Sequence, residues 1–169
     1  MKKAIITIFA LIFAVSCAAC GADKSSGDSA INDMALTDII ADMYKNHSVD
    51  LALDTNTIDI SDADMLKMFT GLDSSDGIAE AAVSEPMMSS QAYSLVLVRV
   101  KDASDAAKTA EAMKNGINPR KWICVEADDI ASAYAGNVVM LFMVSSDFAD
   151  TVTSAQMVDA FNAVAGTGK

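Results

Sequence analysis

Histidine is the side chain best suited to proton transfer near neutral pH, and the chain contains one, His47. A Ser-His-Asp or Cys-His catalytic site would therefore depend on His47. It stands at the end of a predicted helix, between Asn46 and Ser48, where a solvated or capping role is the simpler interpretation. The sequence contains no G-x-S-x-G turn and no P-loop. We therefore assign no catalytic residue, and only a pair of carboxylates remains a candidate for acid–base chemistry.

Acidic side chains concentrate between residues 54 and 64, where calcium is the metal to consider. An EF-hand loop needs Asp or Asn at its fifth position, Gly at its sixth and Glu at its twelfth. A loop starting at Asp54 would place Ile58, Asp59 and Met65 there, so the motif fails. Helix capping and solvation explain these acids more simply. We predict no metal site and no cofactor.

The excess of acids also bears on partners. The chain has 23 Asp and Glu against 12 Lys and Arg, a formal charge of −11. A surface of this sign repels nucleic-acid phosphates, so we predict no nucleic-acid partner. It equally repels anionic lipid headgroups, so the protein surface itself is not expected to bind a membrane.

The first residues have the pattern of a signal peptide. Met1-Lys2-Lys3 is a short basic start, and Ala4 to Ser16 is an uncharged apolar run of 13 residues. About 20 residues are needed to span a bilayer, so this run fits the hydrophobic part of a secretory signal better than a transmembrane helix. We predict a removable segment at residues 1–19.

A cysteine lies where the apolar run gives way to small polar residues, which resembles a bacterial lipobox. In such signals the cysteine thiol is acylated and becomes the new N-terminus after cleavage. Cys20 follows Ala18 and Ala19, which suits a peptidase that needs small residues there, although Cys17 stands where leucine is usual. Acylation of Cys17 is the less favoured alternative, and an ordinary cleaved signal is another. The pattern predicts a lipid anchor on the extracytoplasmic face of the cell membrane.

The remaining cysteine and the segment after the anchor complete this prediction. Residues 20–33 lack aromatic residues and apolar periodicity, so we expect a lipidated cysteine followed by a flexible tether. Cys124 would then be the one unmodified cysteine, and no disulfide could form within the chain. Its apolar neighbours, Ile123 and Val125, predict a small buried side chain and not a nucleophile.

The candidate contact residues are Met87, Met88 and Trp122. The two methionines follow Pro86 in a predicted turn between strands, a place where scaffolds display contact residues. They could instead fold back and cap the end of the core. Trp122, the only tryptophan, is flanked by the basic residues Arg120 and Lys121. We predict that these residues could meet a partner.

Periodicity predicts the elements that position these residues. Strands are expected at roughly 78–84, 92–100, 129–135 and 138–145, the last two joined by a turn at Gly136-Asn137. The strand at 138–145 is apolar on both faces, so we expect it to be deeply packed. Residues 55–60 could add a short extended piece.

Helices are expected from Leu36 to His47, over residues 61–69 until Gly71, between Asp102 and Gly116, and after Thr153. Asn32, Asp33 or Thr37 could cap the first of them. This order predicts a single α+β domain at residues 34–169, with a mostly antiparallel sheet of about four strands and helices mainly on one face.

Four segments carry a resemblance to a known family. They are Glu85-Pro86-Met87-Met88, the strand from Leu95 to Asp102, Asn118-Pro119-Arg120-Lys121-Trp122, and the Gly136-Asn137 turn. With the lipobox-like start, they resemble small lipoproteins of Gram-positive anaerobic bacteria that carry domain-of-unknown-function family four-three-five-eight. The resemblance covers roughly residues 60–165. It implies a lipoprotein but no established activity and no catalytic residues.

Together these patterns predict a membrane-anchored extracytoplasmic lipoprotein whose domain is a non-enzymatic module. Its expected partners are the membrane, through the lipid anchor, and an envelope protein, a peptide or a small ligand. A small carboxylate-based envelope hydrolase and a structural or assembly lipoprotein are the alternatives. A deep pocket with two facing carboxylates would favour the hydrolase, and an exposed apolar patch near Met87, Met88 and Trp122 would favour the binding module.

Overall fold

The computed structural model describes residues 30–166. Within them, five strands form one antiparallel sheet in the order β1-β2-β3-β5-β4. The strands are β1 (Leu53–Ile58), β2 (Ile78–Pro86), β3 (Tyr93–Val100), β4 (Asp129–Ala135) and β5 (Val138–Val144). The predicted α+β class is confirmed. The extended piece expected near residues 55–60 is a full edge strand, so the sheet has one strand more than predicted.

Four α-helices accompany the sheet in the described chain: α1 (Leu36–Asn46), α2 (Ala63–Thr70), α3 (Ala106–Gly116) and α4 (Ser154–Val164). Their ends follow local sequence signals. Asp62 accepts hydrogen bonds from the first turn of α2, and Thr153 and Gln156 form a reciprocal capping box on α4. The predicted caps of α1 are wrong, because Ala35 occupies its N-cap position without a side-chain bond.

Helices cover both faces of the sheet, which corrects the prediction of mainly one face. Helices α1 and α4 pack on the face that carries Leu95 and Leu97, whereas α2 and α3 pack on the face that carries Val96 and Val98. Every residue of β5 is buried, and seven positions of β3 are buried as well. The central strands carry apolar side chains on both faces of the sheet. Helices on one face alone would leave the apolar side chains of the other face in water, so a second helical layer is required.

The N-terminal end of the domain also differs from the prediction. Residues Ala30–Asp33 form a 3-10 turn whose Ile31 is completely buried, so the flexible tether predicted through residue 33 is wrong for residues 30–33. The guanidinium of Arg99 donates to the carbonyl oxygens of Asn32 and Met34, which fixes this turn against β3. The predicted signal peptide, Cys17, Cys20 and the tether at 20–29 lie outside the described residues.

The described part of the chain holds no helix that combines the length and apolar character needed to cross a membrane.

Candidate functional site

The two ends of the sheet carry different features. The N-terminal turn Ala30–Asp33 meets Arg99, near the end of β3, and Asn137, in the β4–β5 turn. We call this end the base. The opposite end, where β3 begins, carries residues 87–92 and residues 119–126, which we call the tip loops. Strand β3 has eight residues, so base and tip lie roughly 26 Å apart along the strand.

Met87 and Met88 are exposed at the tip. Their exposed fractions are 81% and 59%, so neither caps the core, the alternative that the sequence left open. A third apolar side chain, Ile123, is 69% exposed in the second tip loop. The backbone N–H of Ile123 donates to the carbonyl oxygen of Ser89 at 3.3 Å, which joins the two loops. The result is an exposed apolar surface that spans both tip loops.

Cys124 is exposed, and the prediction of a buried cysteine is wrong. Its φ of 62° is the one positive value at a non-glycine position among the described residues. The short apolar run from Trp122 to Val125 suggested the interior of an element. Asn118-Pro119 was the signal that could have shown a loop instead, since proline stops a helix and these residues follow the end of α3.

Lys121 fixes the second tip loop to the sheet. Its side chain is 7% exposed, and its Nζ lies 2.5 Å from Glu85 Oε1, at the end of β2. The same ammonium donates to Ser94 Oγ in β3 at 3.1 Å and lies 5.0 Å from the centre of the Phe69 ring. Two strands and α2 thus hold one lysine. No pattern in the sequence indicated this role, because a basic residue in a predicted loop is usually solvated.

The charge state of Lys121 reflects two opposed effects. Burial lowers the pKa of Lys121, and the neighbouring Glu85 carboxylate opposes that shift without overcoming it. The Lys121 Nζ and Glu85 Oε1 are in direct contact, so the two opposite charges attract each other strongly. The ring faces of Phe69 and Trp122 add cation–π attraction. The pair therefore fixes the loop in position at the cost of desolvating two charges.

Trp122 is partly buried and packs on the core under the tip, beside Lys121. It also lines a shallow cleft of about 440 Å³ with Cys124 and Val125, and with the ion-paired side chains of Arg120 and Glu126. Of the three predicted contact residues, Met87 and Met88 are exposed side by side, whereas Trp122 contributes one wall of this cleft. The sequence did not identify Ile123 as a contact residue.

His47 occupies the C-cap of α1, where its backbone N–H donates to the carbonyl oxygen of Met43. Its side chain lines a shallow cleft between α1 and α4 that holds one carboxylate, Asp159. A cleft of about 210 Å³ near the base holds Asp76 and Asp105, and both are exposed. Burial is what gives two catalytic carboxyls different protonation states. Neither cleft therefore has the arrangement that the hydrolase alternative requires.

The acids at residues 54–64 are engaged in local structure. Asp62 caps α2, and Asp59 accepts hydrogen bonds from the backbone and side chain of Ser61, which lowers the pKa of Asp59. Asp54 accepts from the side chain of Asn56. Across residues 30–166, no three His, Cys, Asp or Glu side chains are grouped so that they could hold a metal ion.

Four hydroxyl groups lie close together between α1 and the sheet. Tyr44 donates to Ser84 Oγ at 2.8 Å and shares a hydrogen bond of 3.1 Å with Tyr93, and Thr55 donates to Ser84 at 3.0 Å. Burial raises the pKa of Tyr44 and that of Tyr93. The Tyr93 ring meets Phe142 edge to face, with centroids 5.1 Å apart. Ser84 and Tyr93 are buried and Tyr44 and Thr55 are half-buried, so this network joins α1 to three strands.

Comparisons of the chain with protein-family models, curated proteins and solved structures find no match. The resemblance to domain-of-unknown-function family four-three-five-eight therefore stays a prediction from the sequence.

Proposed function

We propose that this chain is a membrane-anchored extracytoplasmic lipoprotein whose domain binds a protein or peptide partner at the tip loops, without catalysis. The observation that carries the proposal is the exposure of Met87, Met88 and Ile123 on two loops that are joined by a hydrogen bond. Large apolar side chains grouped at the surface of a domain commonly mark an interaction site.

The direction in which the chain enters the domain supports this function. Ala30 lies at the base, and the ten residues from Cys20 can extend at most about 35 Å. An anchor at Cys20 would attach the domain to the bilayer through its base, the end opposite to the tip. The acidic character of the chain, with a charge of −11, also opposes contact of its surface with anionic lipid.

The build of the tip supports binding over catalysis. Lys121 and Glu85 hold the second tip loop on the sheet, and the exposed methionines sit on the neighbouring loop. A rigid scaffold that displays flexible apolar side chains suits recognition, because methionine adapts to the shape of what it contacts.

The anchor is tested with a matched pair of cysteine variants. Cys20→Ala should abolish acylation and either release the protein from the membrane fraction or leave it as an unprocessed precursor. Cys17→Ala should remain acylated and membrane-bound. Mass spectrometry of the N-terminal peptide distinguishes the forms. An unmodified Cys20 in membrane-bound wild-type protein, or normal acylation of Cys20→Ala, would reject the proposed anchor site.

The binding surface is tested by photo-crosslinking in intact cells with the full chain. A photoreactive phenylalanine at Ser90, in the first tip loop, should give a discrete adduct that a second substitution, Met87→Ser, weakens. The same probe at Lys101, exposed at the base, is the matched control. Equal adducts from both positions, or no adduct from Ser90, would contradict a binding function of the tip.

A further inference from the structure

We propose that the partner of the tip is a basic amphipathic protein segment, which places apolar side chains on Met87, Met88 and Ile123 and cationic side chains on the acids around them. This inference rests on the proposed binding function and adds the chemistry of the partner.

The centre of the surface is apolar and adaptable. Met87 and Met88 are unbranched side chains that project from the first tip loop. The backbone of Ile123, in the second tip loop, is hydrogen-bonded to Ser89 of the first. Methionine-rich surfaces accommodate apolar helices of varied sequence, because each thioether chain has several rotatable bonds. An amphipathic segment presents the apolar stripe that such a surface can cover.

The border of the surface is acidic. The backbone N–H of Met87 donates to Ala52, so exposed Asp50 lies two residues from that contact. Ser145 donates to Ala92 at the end of the first tip loop, which places the 3-10 turn Ser146–Phe148 at this end. The exposed acids of these adjoining segments are Asp50, Asp128, Asp147 and Asp150.

The basic side chains of the tip form ion pairs within the domain. Lys121 is paired with Glu85 below the surface, and Arg120 is paired with Glu126. Asp128 accepts hydrogen bonds from Ser146, which lowers the pKa of Asp128 and keeps it ionised. The tip therefore combines an apolar centre with a net negative border, and Lys and Arg are the complement of that border.

The position of the tip favours a protein segment over lipid as the source of this chemistry. The tip lies at the end of the sheet opposite to the chain entry at Ala30, and its acidic border repels anionic headgroups. A second copy of this chain would bring a like-charged border to the same surface, which costs binding energy.

Trp122, the only tryptophan, lies at the tip and reports binding by its fluorescence. The experiment uses the full acylated protein in phosphatidylcholine vesicles and three synthetic peptides that lack Trp and Tyr. One is an amphipathic Leu/Lys helix, the second is its Leu/Glu counterpart, and the third is the Leu/Lys composition scrambled so that no apolar face forms. The matched variants are Met87→Ser/Met88→Ser at the centre, Asp147→Asn/Asp150→Asn at the border, and Met68→Ser, an exposed methionine on α2 outside the tip loops.

The amphipathic basic peptide should bind, and the other two peptides should bind at least about tenfold more weakly. The double methionine variant should lose about tenfold or more in affinity, and Met68→Ser should not. The double aspartate variant should bind several-fold more weakly at low salt, with the difference disappearing at high salt.

Preference for the acidic peptide, equal binding of the scrambled one, or affinity unchanged in both double variants would overturn the inference. Self-association of the protein through the tip would also overturn it. If no peptide binds while the Ser90 probe still gives its adduct in cells, the basic class is wrong and the binding function stands. If no peptide binds and the Ser90 probe also gives no adduct, the proposed binding function is wrong as well.

Discussion

Asn32 and Asn137 are joined by a hydrogen bond across 105 residues of chain: the Asn32 side-chain Oδ1 accepts from the backbone N–H of Asn137 at 3.0 Å. The Asn137 side chain in turn accepts from Arg99, whose guanidinium also binds the carbonyl oxygen of Asn32. The turn that precedes α1 is therefore tied to the β4–β5 hairpin and to β3. A pulling force from an anchor attached upstream of Ala30 would therefore load these contacts first.

This junction requires glycine at position 136. Gly136 has a φ of +54°, and a Cβ there would come within 1.9 Å of Asn32 Oδ1. We expect Asn32→Ala to lower the free energy of unfolding by about 1 kcal/mol, the usual contribution of one hydrogen bond. Gly136→Ala should cost more, because the left-handed conformation alone costs an L-residue about 1–2 kcal/mol.

A double-mutant cycle on the full chain measures the coupling by chemical denaturation. Gly136→Ala should cost less in the Asn32→Ala background, since the clashing oxygen is gone. The exposed Asn115→Ala serves as the control and should not change the cost of Gly136→Ala. Strict additivity of Asn32→Ala and Gly136→Ala would show that a Cβ at position 136 does not meet the Asn32 side chain.

Tyr93, which is buried, and Tyr44, which is half-buried, should make the domain sensitive to alkali. Burial raises the pKa of Tyr44 and that of Tyr93 above 10.0, so the folded state keeps their protons at a pH where the unfolded state releases them. Their contribution to stability is complete below pH 10 or so and is lost as the pH rises above the unfolded pKa. The free energy of unfolding should therefore fall steeply there.

The measurement is tyrosinate absorbance in a Tyr134→Phe variant, which removes the exposed tyrosine and leaves the hydrogen-bonded pair Tyr44 and Tyr93. Tyrosinate should form only as the circular dichroism of the same sample reports unfolding. Ionisation of either tyrosine in a folded sample would mean that the hydroxyl network is open to solvent.

Much of the fold was readable from the sequence, because β-branched runs, capping residues and glycine stops are local signals. Thr153 with Gln156 correctly placed the start of α4, and Gly71 correctly placed the end of α2. The two-sided covering of the sheet could have been inferred from β5, whose apolar residues occupy both faces. The docking of Ile31 could not, since it depends on Arg99, 68 residues away.

The site could be predicted only in part, because some of its contacts join residues that are distant in the sequence. Pro86 followed by two methionines is a local pattern, and both methionines are exposed where the loop was expected. The burial of Lys121 depends on Glu85, Ser94 and Phe69, which the fold brings together from three elements. No local signal marks a lysine that will be enclosed in this way.

Lys121→Met should destabilise the domain by leaving the Glu85 carboxylate without its partner. The loss should be below the roughly 3–5 kcal/mol of a fully buried pair, because the Glu85 side chain is 22% exposed. Lys121→Met combined with Glu85→Leu should recover most of it, since no charge is then left unpaired. If the double variant is no more stable than Lys121→Met, the two side chains do not act as a pair.

The pH dependence of this loss gives a second test. Because the pKa of Lys121 is lowered in the folded state, the folded protein releases this proton before the unfolded protein does. Between the lowered pKa and the unfolded value of 10.5, wild-type stability should therefore rise relative to that of Lys121→Met. A difference that falls with pH would contradict the lowered pKa.

Met88→Ser separates a contact residue from a core residue. Met88 is 59% exposed, so its loss should change the free energy of unfolding by less than about 0.5 kcal/mol. Met113→Ser is the matched contrast, because Met113 is completely buried on the inner side of α3. This substitution should cost about 2–5 kcal/mol, since it leaves a cavity and buries a hydroxyl. Chemical denaturation of both variants provides the values. With the fold intact, any loss of partner adducts in Met88→Ser is then a property of the tip surface. Destabilisation of Met88→Ser by 1 kcal/mol or more would assign this methionine to the core and remove it from the binding surface.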